Sequence, residues 1–241
     1  MEIIEDSNFT SVTRPKNLSI QIEEQLLNAI NKGVFALGEY LPSENKLVEI
    51  FNVSRGVIRE ALLMLSAKGI IEIQKGKGAI VLNPTIEQLL DPFSSLVNFK
   101  CGNKGLKYSL DVRVIIEPQT ASLAAKARTK DDFKKLTRCF ENMEKYKDDI
   151  KLFMFHDIEF HKTISHSSGN PMFPIILEPI FHFLQTYHHE TFEDLSSDQI
   201  TFDYHQKIFR AIEWKKSQEA FNAMKQHLIV AQKRVNKLFT D

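Results

Sequence analysis

The 241-residue sequence predicts a mainly α protein in two parts. A small N-terminal unit has three helices and a β-hairpin, and a larger C-terminal unit is all-α, packed as an antiparallel helical bundle. Three observations carry this reading. Apolar residues recur at the helical spacing from Leu18 to Leu65, and again from about residue 85 onward. Between these, Ile71 to Leu82 switches to strand-like alternation around a glycine-rich turn. All eight histidines lie between His156 and His227, so the two parts differ in chemistry.

Residues 1–16 mix charge, Ser, Thr and one Pro without an apolar period and read as a flexible arm. Leu18, Ile22, Leu26 and Ile30 make one apolar helix face, ended by Gly33. Ser43 caps a second helix with Glu44 in its first turn and Leu47, Ile50 and Phe51 inward. After the break Asn52-Val53-Ser54, Ser54 caps a third helix. Its buried face is Val57, Ile58, Ala61, Leu62 and Leu65, and Gly69 closes it. Ile71 and Ile73 alternate with Glu72 and Gln74 as a strand, Lys75-Gly76-Lys77-Gly78 turns, and Ala79 to Leu82 returns. Residues 17–83 therefore have the layout of a winged helix-turn-helix domain with a small β-hairpin wing.

Asn83-Pro84-Thr85 reads as a linker, and 84–241 as the second domain. Its helical spans are 85–100, 106–128, 130–146, 150–167, 171–191, 199–214 and 217–238. Thr129, Gly169-Asn170-Pro171 and Ser217 punctuate them, and Pro118 should kink or split the second.

Composition narrows the class. With 43% hydrophobic and 26% charged residues the chain is an ordinary globular protein. No apolar run approaches the roughly 20 residues that span a bilayer, no secretory leader is visible, and Cys101 and Cys139 form no C-x-x-C pair. A cytoplasmic protein without a membrane partner is expected. The formal net charge is zero, yet between Asn45 and Leu82 six basic residues face three acidic ones.

That local charge falls where a helix-turn-helix meets DNA. The second helix of the motif lies in the major groove with its N-terminal residues at the base edges, which places Ser54, Arg55, Gly56 and Arg59 there. Arg55 and Arg59 are one turn apart, and a guanidinium can donate bidentately to guanine. Lys75 and Lys77 in the wing suit backbone or minor-groove contact. The stretch LPSENKLVEIFNVSRGVIREALLMLSAKGIIEIQKGKGAIV resembles the DNA-binding domain of GntR-family bacterial transcription regulators, over about residues 18–82. The resemblance implies that Ser54, Arg55, Arg59, Lys75 and Gly76 lie at double-stranded, palindromic operator DNA. Asn45 stands where the family usually has arginine, and it can read adenine or touch only phosphate.

In HDIEFHKTISHSSGN, Asp157 and His161 are four apart and share a helix face, a spacing at which both can bind one metal ion. His205 and His227 lie on apolar helix faces, where a histidine is ordinarily a core residue. Three segments, VRVIIEPQTASLAA, HDIEFHKTISHSSGN and DYHQKIFRAIEWKKSQEAFNAMKQHL, resemble the FadR-type C-terminal ligand domain that accompanies this DNA module. In its metal-containing members an aspartate and three histidines hold a divalent ion, and the matching residues are Asp157, His161, His205 and His227. Zinc is the first expectation, and nickel or manganese suit the same donors. His156, His166, His182, His188 and His189 are read as surface or core residues, although His182 could line a pocket.

Arg113 sits among apolar neighbours and needs a partner. Glu117, four residues on, offers an intrahelical ion pair; the alternative is a clamp for a carboxylate effector. The resemblance puts this helix along an effector cavity. The expected protein is a homodimeric transcriptional regulator, repressor more than activator, whose operator affinity answers to a small organic acid at the metal centre. A metal-responsive regulator is the second reading. A metal-dependent hydrolase is the least favoured, because no further acid–base pair of fixed spacing and no nucleophile motif is present.

Overall fold

The computed structural model describes residues 17–83, 85–187 and 199–237. The chain divides into two compact units, with the boundary after Thr85. The N-terminal unit runs α1 (Leu18–Asn31), α2 (Glu44–Phe51), α3 (Arg55–Ala67), β1 (Ile71–Gln74) and β2 (Gly78–Val81). The C-terminal unit runs α4 (Glu87–Cys101), α5 (Gly105–Ala127), α6 (Lys130–Lys145), α7 (Ile150–His166), α8 (Met172–Tyr187), α9 (Gln199–Glu213) and α10 (Ser217–Lys237). A single 3-10 turn, Gly102–Lys104, joins α4 to α5.

In the N-terminal unit, Ile22, Leu26, Leu47, Ile58, Leu62, Leu65, Ile71 and Val81 close one core. The caps are formed by the residues read as caps. Ser43 Oγ accepts from Lys46 N at 3.3 Å, and Ser54 Oγ from Val57 N at 3.5 Å. Asn52 takes a left-handed conformation (φ 50°) to make the turn between α2 and α3, a backbone that asparagine tolerates better than most residues. The hairpin is antiparallel, with Ile71 opposite Val81 and Gln74 opposite Gly78. Lys75 to Lys77 form its tip, where Gly76 takes φ 79°.

Three apolar residues do not go where the period sends them. Leu18, Ile50 and Ile73 are 52%, 56% and 42% exposed. A spacing of four marks a face, but a small domain covers only its middle: Ile22, Leu26, Leu47 and Ile71 fill the core and leave the flanking positions outside. One pairing is absent from the sequence reading. Tyr40 bridges to Ile80, so the segment before α2 covers the free edge of β2, with Leu41 N donating to Ala79 O and Val81 N to Glu39 O.

Pro118 does not split its helix; α5 runs unbroken from Gly105 to Ala127. Missing one N–H costs one helical bond. The helix is held on both sides of it, Leu106 and Leu110 in one core and Ala121, Ala124 and Ala125 in another. Thr129 and Asp132 form a full capping box for α6. Ser217 is the first residue of α10 and not its cap. Arg128, just past α5, donates to the Ile212 and Glu213 carbonyls at 2.9 and 2.7 Å, which closes the C-terminus of α9. No helix among the described residues is long and apolar enough to cross a membrane.

Among the described residues the C-terminal unit has two apolar cores, and α7 serves both. Phe153, Phe160 and Ile164 face one core, and Met154 and Ile158 the other. At 3.6 residues per turn, Asp157 and His161 fall on the strip between them.

Leu65→Ala is expected to lower the stability of the N-terminal unit by about 2–5 kcal/mol, while Ile50→Ala changes it by less than about 0.5 kcal/mol. Hydrogen exchange of the α3 amides reads both values without contribution from the C-terminal unit.

Candidate functional sites

The first site is the N-terminal end of α3. Arg55 is its first residue, Arg59 follows one turn later, and Ser54, Gly56 and Asn45 beside them are exposed, as are Lys75, Gly76 and Lys77 in the wing. A Cβ on Gly56 would meet only Ser54 Oγ, at 3.9 Å, so the surface there is open. Glu44, read from sequence only as a first-turn acid, binds both arginines. Its carboxylate accepts from Arg55 Nε at 2.8 Å and from Arg59 Nε at 3.0 Å. These bonds, Arg55 first, hold the Glu44 carboxyl below its ordinary range.

The second site lies inside the C-terminal unit. Asp157 and His161 from α7, His205 from α9 and His227 from α10 are all buried, and one donor atom from each lies within 4.8 Å of the others. Asp157 Oδ1 is 2.7 Å from His205 Nε2 and 4.0 Å from His161 Nε2. His161 Nε2 and both ring nitrogens of His205 are buried without a well-formed hydrogen bond. Orphaned buried polar atoms are costly and call for a partner. Three imidazoles and a carboxylate from three helices, converging on one point with bare nitrogens, fit a divalent cation.

The electrostatics favour ligand forms. Burial pushes the Asp157 carboxyl up, but His205 first and then His161 and His227 outweigh it and leave it well below the carboxylate range. Burial, His205 and His161 push His227 well below its ordinary value, so it is neutral at pH 7. A carboxylate at Asp157 and a neutral imidazole at His227 are species that bind metal.

Beside the cluster is a cavity of about 30 Å³ lined by Arg113, Asp157, Thr201, Tyr204, His227 and Leu228, among others. That is room for roughly two or three waters. Arg113 is 2% exposed and pairs with Glu117 through Nε at 2.5 Å, its guanidinium 5.3 Å from the Phe181 ring centre. The ion pair and the cavity position therefore coexist: Nε is used, and the residue still lines the cavity. Glu117 also hydrogen-bonds His161 Nδ1, a contact with no signal in the sequence.

The other described histidines stand apart from this cluster. His156 stacks on Tyr146, His166 pairs with Glu178 at 2.5 Å, and His182 pairs with Asp91 at 2.9 Å and is not among the residues lining the cavity. His188 and His189 lie outside the described residues.

A winged helix-turn-helix joined to a helical domain with a buried polar centre defines a DNA-binding transcriptional regulator. A family model described as "Bacterial regulatory proteins, gntR family" matches residues 18–81, and one described as "FCD domain" matches residues 109–229. The transcriptional repressor NanR of Klebsiella aerogenes is 30% identical over 223 residues, covering 88% of this chain and 83% of that protein. NanR of Salmonella arizonae is 34% identical over 162 residues, covering 67% and 62%. The solved structure of Streptococcus agalactiae GntR superposes with a TM-score of 0.68 at 25% identity, covering 89% and 99%. The chain belongs to the GntR family of bacterial regulatory proteins and carries an FCD domain. These relatives are regulators and not enzymes, and the hydrolase reading falls away.

Glu117→Ala leaves Arg113 as a buried unpaired charge, and is expected to cost the C-terminal unit about 3–5 kcal/mol. Adding Arg113→Met to Glu117→Ala should recover most of that loss in thermal denaturation.

Proposed function

We propose that this protein is a homodimeric, FadR-type repressor, acting in the cytoplasm on a palindromic operator. A small organic acid at a metal-assisted site in the C-terminal unit controls its DNA affinity. The observation that carries the proposal is the position of the cavity. It borders Asp157 and His227 of the cluster and the guanidinium-bearing Arg113, so a carboxylate in it meets both.

Asp157, His161, His205 and His227 would hold the ion, with zinc favoured and nickel or manganese accepted by the same donors. When bound, the ion supplies a fixed positive charge and open positions for a carboxylate. Arg113 supplies the second point of attachment, since its Nε is occupied by Glu117 and its other donors remain for an anion. A hydroxy acid or sugar acid is larger than two or three waters, so binding one requires the cavity to widen. Filling it must displace α10 or α5, whose residues form most of the wall. An acid that binds only the widened form shifts the equilibrium between two states, and operator affinity follows. The metal-responsive alternative gives no use to the cavity or to the Arg113 donors that Glu117 does not engage.

At the operator, Arg55 and Arg59 read bases, while Ser54, Gly56, Lys75, Gly76 and Lys77 approach the backbone or groove and Asn45 reads adenine or touches phosphate. The NanR relatives bear the name repressor, and repression is the sign proposed here.

Three experiments test this. Arg55→Ala and Arg59→Ala should each weaken specific operator binding by about 10–100-fold, the loss of one bidentate contact; unchanged specific affinity in both removes them from the reading surface. Elemental analysis of purified protein should find about one divalent ion per chain, absent from His205→Ala. Organic acids should release DNA from the metal-loaded protein and not from Arg113→Ala. Release that persists in Arg113→Ala assigns the acid elsewhere.

A further inference from the structure

Glu117 lies outside the four-residue cluster, on α5, 44 positions from His161 in sequence and only 1% exposed. Its two carboxylate oxygens have different partners. Oε1 accepts from Arg113 Nε, and Oε2 hydrogen-bonds His161 Nδ1. The other nitrogen of the same ring, His161 Nε2, has no hydrogen-bond partner and is the atom that approaches Asp157. His161 is thus held at one nitrogen and bare at the other.

An ionised carboxylate can only accept hydrogen bonds. Glu117 keeps that form because it is ion-paired with the buried Arg113 guanidinium, whose Nε donates to Oε1. Nδ1 must then be the protonated nitrogen, and in the neutral ring Nε2 is a lone pair.

We propose that Glu117 is a positioning residue for a divalent cation: by accepting from Nδ1 it fixes His161 in the tautomer whose Nε2 lone pair faces Asp157, His205 and His227. This rests on the metal reading above and assigns a residue that the ligand set omits. Outer partners of this kind orient a ligating imidazole and raise its basicity, and their loss typically lowers metal affinity about 10–100-fold. Because the second oxygen is tied to Arg113, the same carboxylate connects the ring to the guanidinium on the cavity wall.

Glu117→Gln separates positioning from packing, because the amide has almost the same shape. Arg113 Nε can only donate, so the amide oxygen stays on it, and the amide NH₂ then meets His161 Nδ1. Nδ1 must now accept, the proton moves to Nε2, and Nε2 can no longer ligate. An isosteric change therefore reverses the ring.

The test uses the full-length protein and zinc alone. Zinc affinity is measured by competition with a chelator for wild type, Glu117→Gln and His161→Ala. The tautomer of His161 is read from imidazole nitrogen chemical shifts of the metal-free protein, with His161→Ala giving the assignment. The expected result is Nδ1–H in wild type, Nε2–H in Glu117→Gln, and zinc affinity at least about 10-fold weaker in Glu117→Gln, approaching His161→Ala. Zinc bound within about twofold by wild type and Glu117→Gln overturns this inference alone. Failure of the wild type to bind zinc overturns the metal reading, and this inference with it. Should Glu117→Gln not fold, the wild-type tautomer decides: Nδ1–H supports the assignment, and Nε2–H overturns it.

Discussion

The C-terminal unit is organised around one constraint: charged and polar side chains buried between two apolar cores need partners in one another or in a bound ion. Arg113, Glu117, Asp157 and three histidines occupy that strip, and all six are buried. Their partners come from α5, α7, α9 and α10, so the helices cannot slide independently without stranding a charge. A purely apolar seam would be at least as stable. A buried polar seam instead fixes which residue faces which, and makes the register of four helices a condition of electrostatic balance.

How far such an arrangement can be read in advance depends on the distance over which a signal extends. Asp157 and His161 are one turn apart, so helix periodicity alone puts them together. Arg113 and Glu117 are paired by the same rule. His205 and His227 look like core histidines in their own helices, and only the family resemblance drew them to the site. The bond from Glu117 to His161 crosses 44 residues between helices and leaves no local pattern. Where the reading failed, tertiary structure overrode a local rule. Pro118 does not split α5, which is packed on both sides of it, and Leu18, Ile50 and Ile73 met a domain too small to cover them.

The N-terminal unit shows the same limit at its surface. Caps, turn and wing were legible because each rests on a few adjacent residues with restricted chemistry. Glu44 was not, because its partners are 11 and 15 residues away across the turn. Its carboxylate brings Arg55 and Arg59 to one point and neutralises part of their charge. The pair of guanidiniums is thereby presented as an ordered unit, with less side-chain entropy left to lose on meeting a surface.

The smallness of the cavity beside the histidine cluster has a kinetic consequence. Anything larger than a few waters must wait for the wall to part, so its observed association rate saturates at the opening rate instead of rising with concentration. Its apparent affinity is also diluted by the fraction of molecules open at any moment. A substitution that loosens α10, far from any polar group, would therefore shorten the wait and raise the apparent affinity together.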